Sequence, residues 1–147
     1  MSAYLLDVNV LLALLWPLHR LHPVTRRWFT RKARHGWATC PFTQAGFVRL
    51  TSNPAVSLLV VSPQEALELL AENMRQPHHR FWHDDISFPE AVAPFRDRLV
   101  GHRQVTDAYL LGLAIRHDGK LATLDRAVLS LLPDESPHRA HIELICD

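Results

Sequence analysis

Residues 3–16 read AYLLDVNVLLALLW, and Asp7 stands among them with only Asn9 for polar company out to Leu15. AYLLD is expected as a buried strand, and VNVLLALLW as the start of a helix stopped by Pro17. A carboxylate enclosed by such a stretch costs several kcal/mol unless something compensates its charge. Asp7 therefore calls for a partner, and the rest of the chain supplies candidates.

Working outward, HPVTRRWFTRKARHG carries Pro23 at a first-turn position and Gly36 as a stop. Val24 and Trp28 form its inner stripe, while Arg27, Arg31 and Arg34 share an outer face. WATC is a short strand, followed by a helix in FTQAGFVRLTS. SPQEALELLAENMRQ opens on a capping box, Ser62 with Glu65, and carries Leu67, Leu70 and Met74 as an apolar stripe. Between Pro77 and Pro94 the pattern is irregular, with a short strand near Phe81 and a short helix at residues 90–93. QVTDAYLLGLAIRHDG is a strong helix with Gly119 as its stop. The strand KLATL, Asp125, the helix RAVLSLL, a polar loop and the strand IELIC complete the chain. Short apolar strands alternating with helices predict an α/β fold, a three-layer α/β/α sandwich with a central parallel sheet, in one domain spanning residues 1–147.

Composition sets bounds. The 147 residues are 48% hydrophobic and 21% charged, as in a soluble globular protein. The longest apolar run is too short for a membrane span, and no secretory leader is expected. Two cysteines suggest no disulfide framework, so a cytoplasmic protein is expected. Between Asp7 and Glu65 there is no acid but seven Lys and Arg, whereas residues 65–147 carry fourteen acids against nine bases. This asymmetry hints at a polyanion partner, or marks a solvated helix face.

In a parallel sheet, strand C-termini and the N-termini of the following helices lie along one edge, where open α/β folds bind ligands. Asp7 ends the first strand and Asp125 ends KLATL. Asp107 lies in the first turn of its helix, on the same face as Leu110, Leu111 and Ala114. Asp107 also suits a helix N-terminal acid and Asp125 an N-cap; Asp7 fits a purely structural role least well. Three acids at one edge repel one another, and a hard divalent ion, Mg²⁺ or Mn²⁺, removes the difficulty. The scattered histidines make a zinc site a poor competitor, with His78 and His79 its only candidates.

With these residues placed, LLDVNVLLAL, TDAYLLGLA and LATLDRAV resemble the acid-bearing segments of PIN-domain ribonucleases, specifically the VapC toxins of VapBC toxin–antitoxin pairs. ATCPFTQAGFVRLTSNP and HRFWHDDIS are similar to connecting segments of one VapC subgroup, so the likeness runs end to end. It implies a PIN-like fold, a Mg²⁺- or Mn²⁺-dependent endoribonuclease acting on RNA, a VapB-type antitoxin that blocks the site, and a homodimer. Many members carry a glutamate where this chain has Gln44, which brings no charge; compensation by Asp84 or Asp85 is one outcome. On this reading Asp7 and Asp107 hold the ion, Asp125 completes the site and orients the attacking water, and Asn9 and Thr123 hydrogen-bond behind them. Arg27, Arg31 and Arg34 are candidates to guide the RNA backbone, and Trp82 and His83 to stack on an unpaired base, although aromatics between prolines more often simply pack. The competing reading, motivated by Gln44, is a catalytically degenerate RNA-binding or regulatory protein on the same fold. An Asp-nucleophile phosphatase is disfavoured, because it wants a second Asp where Asn9 stands.

Overall fold

A computed structural model describes residues 2–146. β1 (Tyr4–Leu6) passes through Asp7 directly into α1 (Val8–Leu15), and α2 (His22–Trp28) continues as a π-helical turn over Phe29–Ala33 before β2 (Trp37–Thr39). α3 (Pro41–Thr51) and α4 (Pro63–Met74) precede β3 (His79–Phe81). α5 (Phe88–Val92), two 3-10 stretches and α6 (Val105–Arg116) lead to β4 (Lys120–Thr123), and β5 (Ile142–Leu144) follows two further 3-10 turns. The strands pair in the order β3-β2-β1-β4-β5, parallel throughout.

Alternation along the strands builds the layers. Leu5, Ala38 and Leu121 face α5 and α6, packing with Phe95, Leu110 and Leu113. Leu6, Trp37 and Ala122 face the other way, onto Val10 and Leu11 of α1, Trp28 of α2, Phe47 of α3 and Leu70 of α4. The sheet therefore lies between α1–α4 on one face and α5–α6 on the other. Leu5 and Leu6 are wholly buried, and each stabilises the fold by about 1.5–3 kcal/mol. A one-residue slip of β1 would exchange their faces, so its register is firmly specified. Asp7, two residues past Leu5, is thereby held on the α6 side of the sheet edge. Among the described residues no helix is long and apolar enough to cross a membrane.

Several local expectations are corrected. α6 ends at Arg116, and the chain leaves it through Asp118 in the left-handed region (φ 52°), not through Gly119. Gly119 serves close approach instead: a Cβ there would lie 2.5 Å from the Trp82 ring and 2.6 Å from the Ala3 carbonyl. RAVLSLL is a 3-10 turn, Arg126–Leu131, because Asp125 caps it while Val128 and Leu131 reach down into the core. The Ser62–Glu65 capping box forms as the spacing implied, with two reciprocal bonds of 3.1 Å. Of the α4 stripe, Leu70 is buried but Leu67 is 55% exposed.

Gly112 is where α6 crosses α5 most closely, and a Cβ there would fall onto the Ala91 carbonyl oxygen. Gly112→Ala is expected to cost about 1–3 kcal/mol of stability. Gly101→Ala, with nothing within 4 Å, is expected to stay within roughly 0.5 kcal/mol of wild type. Urea unfolding midpoints check both.

Candidate active site

The site begins where β1 stops. Asp7 is 7% exposed; its backbone N–H still pairs with the Ala122 carbonyl at 3.0 Å, and its side chain turns to cap α1. Oδ1 accepts from the Val8 N–H at 2.7 Å, and Oδ2 accepts from the Thr123 hydroxyl at 2.8 Å. Asp7 therefore does have the helix-capping role that its sequence context seemed to deny it. Burial pushes its carboxyl up, the Thr123 and Val8 hydrogen bonds pull it back, and the Asp125 charge raises it further.

Thr123, the wholly buried last residue of β4, joins the two strand ends. Its hydroxyl donates to Asp7 and accepts from the Asp125 N–H at 3.1 Å and from Asn9 Nδ2 at 3.4 Å. Asn9 Oδ1 in turn accepts from the Leu124 N–H at 3.3 Å, so α1 and the β4 terminus are tied twice. Asp125 is exposed and caps its turn, Oδ1 accepting from the Ala127 N–H at 2.9 Å.

Asp107 comes from the facing helix. It is half-buried in the first turn of α6 and, among the described residues, has no hydrogen-bond or ion-pair partner. Its pKa is raised to about 7, first by burial, then by the Asp7 and Asp125 charges. Asp107 thus senses both of the other acids, and Asp7 senses Asp125. They do not close round a single point: among the described residues no three His, Cys, Asp or Glu side chains form a group able to hold an ion alone. The reason is local, because Asp7 and Asp125 are tied to the backbone of their own turns while Asp107 projects from a separate element. The donor set still suits a hard cation, all carboxylate oxygen, partly enclosed and mutually repelling. An ion such as Mg²⁺ completes its shell with water and needs no closed protein cage.

Gln44 is half-buried on α3, and its Nε2 donates to the Thr39 hydroxyl at 2.9 Å. Thr39 also pairs with His79 Nε2 at 2.7 Å, and burial keeps the His79 pKa below its ordinary value. The amide supplies a donor where a carboxylate could not. Thr39 escaped the sequence reading, though a threonine closing β2 as Thr123 closes β4 was the available signal, and His79 was weighed there only as a zinc ligand. Neither Asp84 nor Asp85 is among the charges that raise the Asp107 pKa. Asp84 accepts from the Tyr109 hydroxyl at 3.0 Å, and Asp85 is paired with Arg116 at 3.0 Å.

The other expected contacts lie elsewhere. Trp82 is buried and stacked on His117, ring centroids 4.4 Å apart, so it presents no face to a base; its backbone N–H continues from β3 to Thr39. His83 is exposed and sets its ring against Phe81. Arg27, Arg31 and Arg34 are exposed, but the run ends at Arg34 just before β2 begins, at the sheet edge opposite Asp7. Arg34 Nε donates to the His35 ring there. His78 packs edge-on against His35, and His79 is committed to Thr39, so the histidine alternative has no support in the geometry.

A parallel sheet ending in an acid-rich edge defines a class of α/β proteins, and comparison with known proteins makes it specific. Residues 4–132 match the PIN domain family. The chain is 45% identical over 124 residues to ribonuclease VapC39 of Mycobacterium tuberculosis, covering 84% of this chain and 89% of that protein. It is 46% identical over 127 residues to ribonuclease VapC38 (86% and 88% covered) and 41% identical over 133 residues to ribonuclease VapC29 (88% and 91%), both of the same organism. In fold it is similar to the crystal structure of FitAcB from Neisseria gonorrhoeae, with a TM-score of 0.57 at 18% identity over 87% of this chain and 91% of that one. The chain belongs to the PIN-domain family and, within it, to the VapC ribonucleases.

The raised Asp107 pKa has a sign. Unfolded, the carboxyl ionises near its ordinary value of 3.8; folded, it ionises near 7, so stability is lost as pH rises through that window. In chelator, Asp107→Asn is expected to raise Tm at pH 8 clearly more than at pH 4, as thermal unfolding at the two pH values would register. An equal gain at both would deny that folding raises the Asp107 pKa.

Proposed function

We propose that this chain is a VapC-type endoribonuclease toxin that hydrolyses RNA phosphodiester bonds at the Asp7–Asp107–Asp125 edge, using Mg²⁺ or Mn²⁺. The observation that carries the reading is Asp107, a half-buried carboxyl without a partner among the described residues, whose ionisation is opposed first by burial and then by two further acids. Structural acids are paired or exposed; an arrangement that accumulates unpaired negative charge suits a cation-dependent reaction. Asp7 and Asp107 would hold the ion, directly or through water, with Asp125 completing the set. When bound, a divalent ion neutralises charge on the phosphate and acidifies a water.

The chain's own residues set the geometry. Thr123 fixes Asp7 Oδ2 and so decides how that carboxylate is presented. Asn9, bridging Thr123 and Leu124, keeps the two strand ends in register. Asp125 has Oδ1 occupied by its turn, leaving Oδ2 to accept a hydrogen bond from the attacking water and orient it. Gln44, neutral and held by Thr39, leaves three charges at the edge, enough for one divalent ion. The absence of a fourth acid also motivates the alternative, a catalytically degenerate RNA-binding protein on the same fold.

VapBC kinship implies a VapB-type antitoxin and a homodimer. The open apolar groove of about 940 Å³ between α3 and α4, with exposed Leu67 on its wall, is surface of the kind a protein partner covers.

Purified protein is expected to cleave RNA with Mn²⁺ or Mg²⁺ and not with EDTA. Asp107→Asn is expected to reduce cleavage by roughly 100-fold or more while retaining its far-ultraviolet circular dichroism. Cleavage by this variant at the wild-type rate would remove Asp107 from the mechanism; metal-independent RNA binding without cleavage would favour the degenerate protein.

A further inference from the structure

The basic face of α2 ends at the wrong edge, so the RNA backbone needs another grip, and the loop entering α6 supplies one. Residues 98–104 are pinned by Gln104, whose side chain makes four hydrogen bonds. Its Oε1 accepts from the Val100 N–H at 2.8 Å and the Gly101 N–H at 3.1 Å. Its Nε2 donates to the Arg98 carbonyl at 3.1 Å and to Ser130 Oγ at 3.2 Å. Ser130 lies in the turn capped by Asp125, and its hydroxyl donates to the Ala127 carbonyl at 2.7 Å. A continuous hydrogen-bonded path therefore runs from Asp125 through Ala127, Ser130 and Gln104 to the loop that delivers Asp107. The two segments that carry these acids are locked together at their outer rim.

Besides Arg98, whose guanidinium donates to the Ser130 carbonyl at 3.5 Å, that rim carries two further arginines. Arg103 precedes Gln104, and Arg126 follows Asp125; both are exposed. Neither forms an ion pair or hydrogen bond with any described residue, although each is within a few positions of an acid. Arginines beside repelling carboxylates would ordinarily fold onto them. Here the acids stay unneutralised and the guanidiniums stay in solvent, an alternation of charge suited to a chain of phosphates with a cation at its scissile position.

We propose that Arg103 and Arg126 form the grip for the RNA phosphate backbone, on a rim that Gln104 locks to the Asp125 turn. The inference rests on the nuclease reading for its substrate class. It names positioning residues and not catalytic ones. Contacts of this kind are nearly sequence-blind and salt-sensitive.

The test is binding of a short unstructured RNA by fluorescence anisotropy across a potassium chloride series in EDTA, with Mn²⁺-dependent cleavage by the wild type run beside it. The Arg103→Ala, Arg126→Ala double variant is expected to bind roughly tenfold more weakly at low salt, with the magnitude of its log–log salt slope smaller by about 1.4. Both positions are exposed, so its thermal unfolding is expected to match wild type. Arg80→Ala with Arg116→Ala removes the same charge away from the rim and is expected to leave affinity and slope unchanged. A rim variant with wild-type slope and affinity overturns the proposal, as does a wild type whose RNA binding ignores salt. RNA binding that survives in the rim variant while a co-expressed antitoxin no longer copurifies would give the rim to the protein partner and also overturn it. Cleavage by the wild type alongside unaltered variant binding sinks the rim alone. Absence of wild-type cleavage sinks the nuclease reading, while the slopes still judge the grip.

Discussion

Like charges at the end of a parallel sheet are the constraint to which the rest of this structure answers. A strand end and the start of a facing helix each deliver a carboxylate to the same edge, and the following strand delivers another. Burial and mutual repulsion raise the ionisation of Asp107 to about pH 7. A protein selected for stability alone would gain by pairing or neutralising these groups, yet Arg103 and Arg126 stand close by in the chain and pair with neither Asp107 nor Asp125. On the proposed reading a cation and a polyanionic substrate would restore the balance, which packing alone does not.

What holds the cluster in place is mostly apolar. Leu5 and Leu6 commit β1 to its register, and Leu121 and Ala122 do the same for its neighbour β4. Thr123 then converts that register into chemistry, since one buried hydroxyl fixes Asp7 and the backbone entering Asp125. Gly46 lets α3 approach Val8 closely, where a Cβ would come within 2.8 Å of a Val8 methyl. The helix bearing Gln44 is thereby seated against the element that Asp7 caps.

Much of this was legible in the chain. The strand–helix alternation is local, so the parallel sheet and the acid-bearing edge follow from it; the Ser62 capping box is equally local. What escaped the sequence depends on long-range packing. The aromatic residues between Pro77 and Pro94 have no clear period, and nothing local reveals that Trp82 is covered by His117 from the end of α6. Asp7 looked too deeply set to be a cap, yet it caps α1 and faces the site at once. The α2 arginines share a face by helical periodicity, but periodicity does not say which edge of the sheet that face approaches. The same topology that gathers the acids answers it, because Arg34 enters β2 from the opposite end. Gln44 shows the converse: its departure from the family pattern is visible in sequence, whereas its bond to Thr39, and that of Thr39 to His79, is visible only in three dimensions.

The account stands on one ion being shared by three acids that the chain holds in separate turns. Calorimetric titration of Mn²⁺ into the wild type and into Asp7→Asn, Asp107→Asn and Asp125→Asn tests that claim most directly. The expected result is a single site per chain that weakens in every variant. A wild type that takes up no Mn²⁺, or three variants that bind it as the wild type does, would contradict it.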